Sequence, residues 1–300
     1  MSREPRGPNF VPALVPAAAP RIRPRVLRRV LPACGYSLVE LMVAMTIGLL
    51  VASAAIGLYR GQHAAFEQAA DTAQMDDAGR AALDLIAVHA RAAGFAARIF
   101  VAGADPVTPR IPVLPCPAGR PAGDPANSHC VRDARGSDGV QFSYMADRVS
   151  SWLTSDGAPT DCLGQAIPAG ALSVTRFFVK PSGSSGEPEL YCEGSGRLGT
   201  AQPVVEGVET LRLSYQLKGV ASLVGDFAVA DEADEADEAD ATDAAERLQM
   251  VSLCVLVRGR PTAKNYAYID CDGRASQGTD GRRRQTYRLL LAARNLFNRA

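Results

Sequence analysis

Residues 35 to 41 read Gly-Tyr-Ser-Leu-Val-Glu-Leu, and Glu40 stands at the head of eighteen residues, Leu41 to Leu58, that carry no charge. A carboxylate costs about 2.5–3.5 kcal/mol to place at the centre of a bilayer, so an acid bordering such a span marks a functional position and needs a partner. Ion pairing, rather than catalysis, is the chemistry this residue offers.

Catalytic sets are not found elsewhere. The chain has no GxSxG, no GxxxxGKS/T and no HExxH. The histidines are His63 and His89, on a predicted helix, and His129, in a predicted loop; all three are read as surface or interface residues. Asp76 and Asp77 adjoin on the helix and point to different faces, so they do not make a paired-carboxylate site. Arg282-Arg283-Arg284 precedes the last predicted strand and is expected to cap an edge or pair with acids on a neighbour, with contact to DNA or another surface polyanion as the alternative. Trp152, the only tryptophan, is expected to anchor the core, with an adhesive contact as the alternative.

The second chemistry available is sulfur. Of seven cysteines, Cys34 lies in the N-terminal segment, leaving Cys116, Cys130, Cys162, Cys192, Cys254 and Cys271. An even set in an exported domain reads as disulfides. Six cysteines allow fifteen complete pairings; pairing in sequence order would close the shortest loops, each worth about 3 kcal/mol on the loop-entropy model. Zinc is disfavoured, because no two of these cysteines stand in a CxxC spacing and His129 is the only nearby imidazole. No cofactor is expected.

These residues must be positioned by three segments. Residues 1–35 are rich in Pro, Ala and Arg, with seven arginines against one acid. Placed before an apolar span, they put the N-terminus in the cytoplasm by the positive-inside rule. A helix is expected over 36–94, with a transmembrane part at about 38–59. Its 58 residues from Tyr36 to Ala93 would span about 87 Å at 1.5 Å per residue, too long to be buried in one small domain. Its second half carries Met75, Ala82, Leu83, Ile86, Ala87 and Ala90 at helical intervals, and Gly94 supplies a stop. Gly48 and Gly57 weaken the first half by about 1 kcal/mol each relative to alanine.

Residues 95–300 form the head. Strands are expected at Val140–Met145, Leu172–Lys180, Glu189–Cys192, Glu209–Leu217, Met250–Val257 and Gln285–Ala292. A helix followed by strands predicts an α+β fold with a mainly antiparallel sheet. An acidic insertion at 226–246 contains Asp231–Asp240, DEADEADEAD, and reads as a solvated loop. Without residues 1–35 the chain keeps 25 basic and 31 acidic side chains, a net of −6, which argues against a nucleic-acid footprint over the whole domain.

The stretch from Gly35 to Leu41 resembles the type IV prepilin signal, in which a glycine precedes the cut, the next residue is methylated and a glutamate is fifth in the mature chain. Further along, Gly79-Arg80-Ala81-Ala82-Leu83, Ala90-Arg91-Ala92-Ala93-Gly94-Phe95, Gly136-Ser137-Asp138-Gly139-Val140, Leu190-Tyr191-Cys192, Gln202-Pro203-Val204-Val205-Glu206-Gly207-Val208-Glu209, Arg283-Arg284-Gln285-Thr286-Tyr287 and Arg294-Asn295 resemble the PilW-like minor pilins. The resemblance implies a pilin-like fold and a low-abundance subunit that helps start the pilus fibre with other minor pilins and the major pilin. Prepilin peptidase would recognise Gly35 and cut before Tyr36, Tyr36 would become the N-methylated terminus, and Glu40 would pair with the terminal amine of an adjacent subunit. It also implies an anchor in inner-membrane lipid and a periplasmic head; no direct nucleic-acid binding is expected, on the ground of the acidic net charge.

The sequence departs from that pattern in places. A leader of thirty-five residues is long, and a start at Val26 would leave ten; Tyr36 replaces the commoner phenylalanine; Gly57 stands near the usual helix proline. Two other readings share parts of the pattern. A minor pseudopilin of a type II secretion system has the same signal, helix and sheet. A secreted, disulfide-bonded adhesin would be cut after Ala54 at Ala52-Ser53-Ala54.

Overall fold

The computed structural model describes residues 35–95, 111–125, 127–149, 151–217, 248–262, 264–292 and 295. The leader before Gly35, the acidic insertion and Arg294 therefore lie outside the described residues.

One helix, α1, covers Leu38–Ala92, two residues shorter at each end than expected. No proline interrupts it, and it is rich in the strong helix formers alanine and leucine. Through Tyr59 every residue is exposed. The two hydroxyl side chains of the uncharged stretch bond back to the helix: Thr46 donates to the Val43 carbonyl and Ser53 to the Leu50 carbonyl, each at 2.8 Å. Their polarity is thereby satisfied internally, as an apolar solvent requires. An eighteen-residue window reaches a mean hydropathy of 2.3, enough by length and composition to cross a membrane.

From Arg60 onward the chain forms the second compact unit. Met75, Gly79, Ala82, Leu83, Ile86 and Ala87 recur at steps of three and four and are buried against strands. Gly94 stops the helix with φ 76°, a conformation that costs glycine nothing, and its N–H donates to the Ser143 carbonyl at 2.9 Å.

Twelve strands are described: β1 Val113–Cys116, β2 Gly119–Ala122, β3 His129–Arg132, β4 Gly139–Met145, β5 Leu172–Pro181, β6 Pro188–Gly194, β7 Gln202–Glu206, β8 Val208–Leu217, β9 Leu248–Pro261, β10 Ala267–Ile269, β11 Ala275–Gln277 and β12 Arg282–Ala292. All pairings among them are antiparallel. They form a five-stranded sheet in the order β1-β4-β5-β6-β7, a three-stranded sheet β12-β9-β8, and two hairpins, β2-β3 and β10-β11. The α+β architecture is thus a long apolar N-terminal helix whose second half packs on antiparallel sheets.

All six expected strands are present, most of them longer than the apolar runs that suggested them. The other six are only three to five residues long, too short for a hydrophobic alternation to stand out. Two of the three disulfides reach into them, Cys116–Cys130 between β1 and β3 and Cys254–Cys271 from β9 to the β10-β11 turn.

Gly207, with φ 78°, turns the chain from one sheet into the other between β7 and β8. Its N–H donates to the Pro188 carbonyl at 3.0 Å and its carbonyl accepts from Arg258 N–H at 2.9 Å, tying the sheets together. The core lies between both sheets and α1, where Phe142, Phe177, Leu190, Leu211, Leu253 and Val255 meet the helix stripe. Each such side chain contributes about 1.5–3 kcal/mol on burial. Tyr287 of β12 lies so close to Gly79 that a Cβ there would stand 2.2 Å from its ring, and its hydroxyl donates to Asp76 at 2.6 Å. Burial and this carboxylate push the phenol well above its ordinary range.

Candidate functional site

Gly35 and Tyr36 are exposed and precede the helix, with Tyr36 86% accessible. Ser37 caps it: its hydroxyl accepts from Glu40 N–H at 3.2 Å, and its carbonyl accepts the first helical bond from Leu41 N–H at 3.2 Å. Glu40 is therefore the third helical residue, where an acid complements the positive end of the helix dipole. The spacing Ser37-x-x-Glu40 is the sequence signal of such a cap, and Ser37 is the positioning residue that sequence reasoning passed over. The resulting arrangement is an accessible peptide bond between Gly35 and Tyr36, followed at once by a rigid helix bearing one carboxylate at its head.

The six head cysteines form three disulfides, Cys116–Cys130, Cys162–Cys192 and Cys254–Cys271, with Cα separations of 5.3, 6.5 and 5.7 Å. Their role is covalent bracing; Cys162–Cys192, for example, fastens the long segment between β4 and β5 to β6. Alkylation of the denatured, unreduced protein after removal of residues 1–35 is expected to modify none of the six, with full labelling after reduction. One or two labelled sites before reduction would show that a bridge is not formed.

The remaining residues singled out by sequence are dispersed and structural. His63 is exposed, 3.5 Å from Glu67. His129 is also exposed, but on β3 rather than in a loop. His89 is a correction: it is 2% accessible, since it stands three residues after Ile86 and seven after Ala82 on the buried stripe. Trp152 is another, 51% exposed at the edge of the core rather than within it. Asp76 faces β12 while Asp77 is exposed.

The arginine run pairs within the head. Arg282 reaches Glu187 at 2.7 Å, Arg283 lies over the Tyr266 ring, and Arg284 holds Glu209 and Asp280. The hydrogen bonds from Arg284 hold the Asp280 carboxyl well below its usual range. Asp138, in the Gly136–Val140 motif, is a buried clamp whose carboxylate accepts from Ala118 N–H, Leu213 N–H and Arg212, each at 2.9 Å. Arg176 is likewise buried, donating to Gln141, Glu193 and the Gly123 carbonyl at 2.8, 2.9 and 2.6 Å. Neither clamp was recognised as such from sequence, since their partners lie far away along the chain. Among the described residues no group of three or more His, Cys, Asp or Glu could hold a metal ion.

Comparison with known proteins gives two family matches. The model described as Type IV Pilus-assembly protein W matches residues 176–295, and the prokaryotic N-terminal methylation motif matches residues 32–56. No curated protein matches the chain. Among solved structures, a type IV-like pilin from Thermus thermophilus is similar over 74% of this chain and 96% of its own, at 14% identity and a TM-score of 0.39.

Proposed function

Because this chain is a PilW-like type IV pilin, we propose that it acts as a minor pilin, cut by prepilin peptidase between Gly35 and Tyr36 and used to initiate assembly of the fibre. The observation that carries the reading is the exposed Gly35-Tyr36 pair set before a capped helix whose only charge up to Tyr59 is Glu40. Cleavage creates an ammonium at Tyr36, four residues before that carboxylate. The amine of one subunit then neutralises Glu40 of the next, fixing axial register among packed helices.

Before assembly the apolar half of α1 anchors the subunit in the inner membrane, with the disulfide-bonded head in the periplasm. Its partners are other minor pilins, the major pilin and the peptidase, and its work is structural rather than catalytic. The head matches a pilus-assembly family, which favours this reading over a type II secretion pseudopilin. Mass spectrometry of the mature protein is expected to find an N-terminus at Tyr36 carrying one methyl group. A chain beginning at Ala55 would overturn the proposal and establish secretion by general signal peptidase.

A further inference from the structure

His89 sits near the end of α1 with 2% of its surface accessible. Nδ1 lies 3.0 Å from the Tyr144 hydroxyl, and Nε2 has no hydrogen-bond partner. Aromatic rings enclose it: Phe177 at 5.5 Å, Tyr144 at 6.0 Å, and Trp152 edge-on at 6.0 Å between centroids. Three parts of the head converge on this one imidazole, the last turns of α1, the β4–β5 pair and the segment around Trp152. We propose that His89 is an acid-operated latch, closing the seam between α1 and the Trp152 segment while neutral and opening it when protonated.

The surroundings give an imidazolium no adequate partner. Tyr144 on β4 can accept only one of its two N–H groups, and its ladder neighbour on β5, Ser173, is uncharged. Asp161 is the carboxylate whose charge is felt at Tyr144, but it is committed elsewhere. Its Oδ1 accepts from Leu163 and Gln165 N–H at 2.9 Å each, and its Oδ2 from Gly196 N–H at 3.0 Å. On the helix itself Arg91 is exposed and of like charge. A helix C-terminus favours a cation, yet burial prevails and pulls His89 from 6.5 down to about 4.

The direction of the linkage follows from that lowering. A group whose folded pKa lies below its unfolded value supports the closed form fully above pH 6.5 and progressively less as the pH falls to about 4. Over that interval the closed form is weakened by up to about 300-fold relative to the open one. Val149 and Leu153, 93% and 47% exposed, flank Trp152, so opening would enlarge an apolar surface already begun.

Trp152 is the single tryptophan, so its fluorescence reports this seam alone. In the full-length protein in detergent, acrylamide accessibility of Trp152 is expected to rise reversibly by about twofold between pH 7 and pH 4, given 51% exposure when closed. The midpoint should coincide with the His89 imidazole titration followed by NMR, and His89→Gln and His89→Phe should remove the transition. Unchanged accessibility in the wild type, or a transition persisting in either variant, would overturn the latch. If neither variant folds, the wild-type comparison decides: coincidence with His89 supports the latch, and coincidence with His63, His129 or no imidazole refutes it.

Discussion

Glu40→Ala is expected to leave cleavage before Tyr36 largely intact while removing most of the subunit from filaments. The peptide bond to be cut lies in exposed backbone outside the helix, and Ser37 supplies the cap through its own hydroxyl, so neither depends on the Glu40 side chain. On the proposed pairing, what depends on it is the neighbour's amine. From Leu41 to Leu58 the chain offers no charge of its own that could pair with an ammonium inside the bilayer. An unpaired ionised group there costs about 2.5–3.5 kcal/mol on insertion scales, a factor of roughly 70 to 400 in an equilibrium. Glu40→Gln separates charge from shape: it keeps the side-chain volume and is expected to fail nearly as badly. The measurement is the ratio of processed subunit in sheared filaments to that in membranes, with wild type and both variants expressed equally. Normal incorporation of Glu40→Gln would refute the pairing while leaving processing untouched.

Why some of this molecule could be read in one dimension and some could not has a physical basis. The N-terminal motif is linear: Gly35, Tyr36 and Glu40 lie within six residues of one another, inside the stretch that matches the methylation motif. The helix is nearly as local, because the absence of proline, the helical spacing of Met75, Ala82, Leu83, Ile86 and Ala87, and the glycine stop at Gly94 are all short-range features. Strands β4, β5, β6, β8, β9 and β12 announce themselves because one or both faces are buried and their residues are apolar to match. Strands β1 to β3 and the β10-β11 hairpin do not, since each is only three or four residues long: even the buried Val113–Cys116 run is too short to show a period, and disulfides help brace these regions.

Polar residues of the core were the harder class. A histidine, an arginine or an aspartate looks the same in sequence whether it is solvated or enclosed. His89 is buried because Tyr144, Phe177 and Trp152 arrive from elsewhere, and Arg176 because Gln141, Glu193 and Gly123 surround it. Trp152 erred in the opposite direction: its size suggested an anchor, but the segment that carries it runs along the surface of the head. The arginine run is legible as a source of ion pairs, but sequence reasoning sets the acids on a neighbour, whereas the fold brings Glu187, Glu209 and Asp280 of the head itself to Arg282 and Arg284.

Asp138→Ala is expected to destabilise the head by about 3–5 kcal/mol, as removal of one partner from a buried ionic network does. The Asp138 side chain is 8% exposed, and its carboxylate serves three donors on two separate parts of the chain. Ala118 N–H and Leu213 N–H would be left without their acceptor, at about 1–3 kcal/mol for each buried group left unsatisfied. Arg212 is 33% exposed and can turn toward water, so its loss adds less. The flanking bonds, Asp138 N–H to the Leu211 carbonyl and Leu211 N–H to Ser137 Oγ, tie this segment to β8 but do not replace the acceptor that Ala118 N–H would lose. Asp138→Asn keeps the shape but presents an amide N–H where an acceptor is needed, and should fall between alanine and wild type. Asp133→Ala is the nearby control, because its carboxylate serves only its own turn: it accepts from Arg135 N–H at 3.1 Å in an exposed turn and lies 3.8 Å from the Arg135 guanidinium, together worth about 1 kcal/mol. Thermal unfolding of the oxidised protein separates these cases. At about 2–4 °C per kcal/mol for a domain of this size, Asp138→Ala should lower Tm by roughly 6–20 °C and Asp133→Ala by a few degrees at most. Equal shifts for the two would show that Asp138 does not join the sheets.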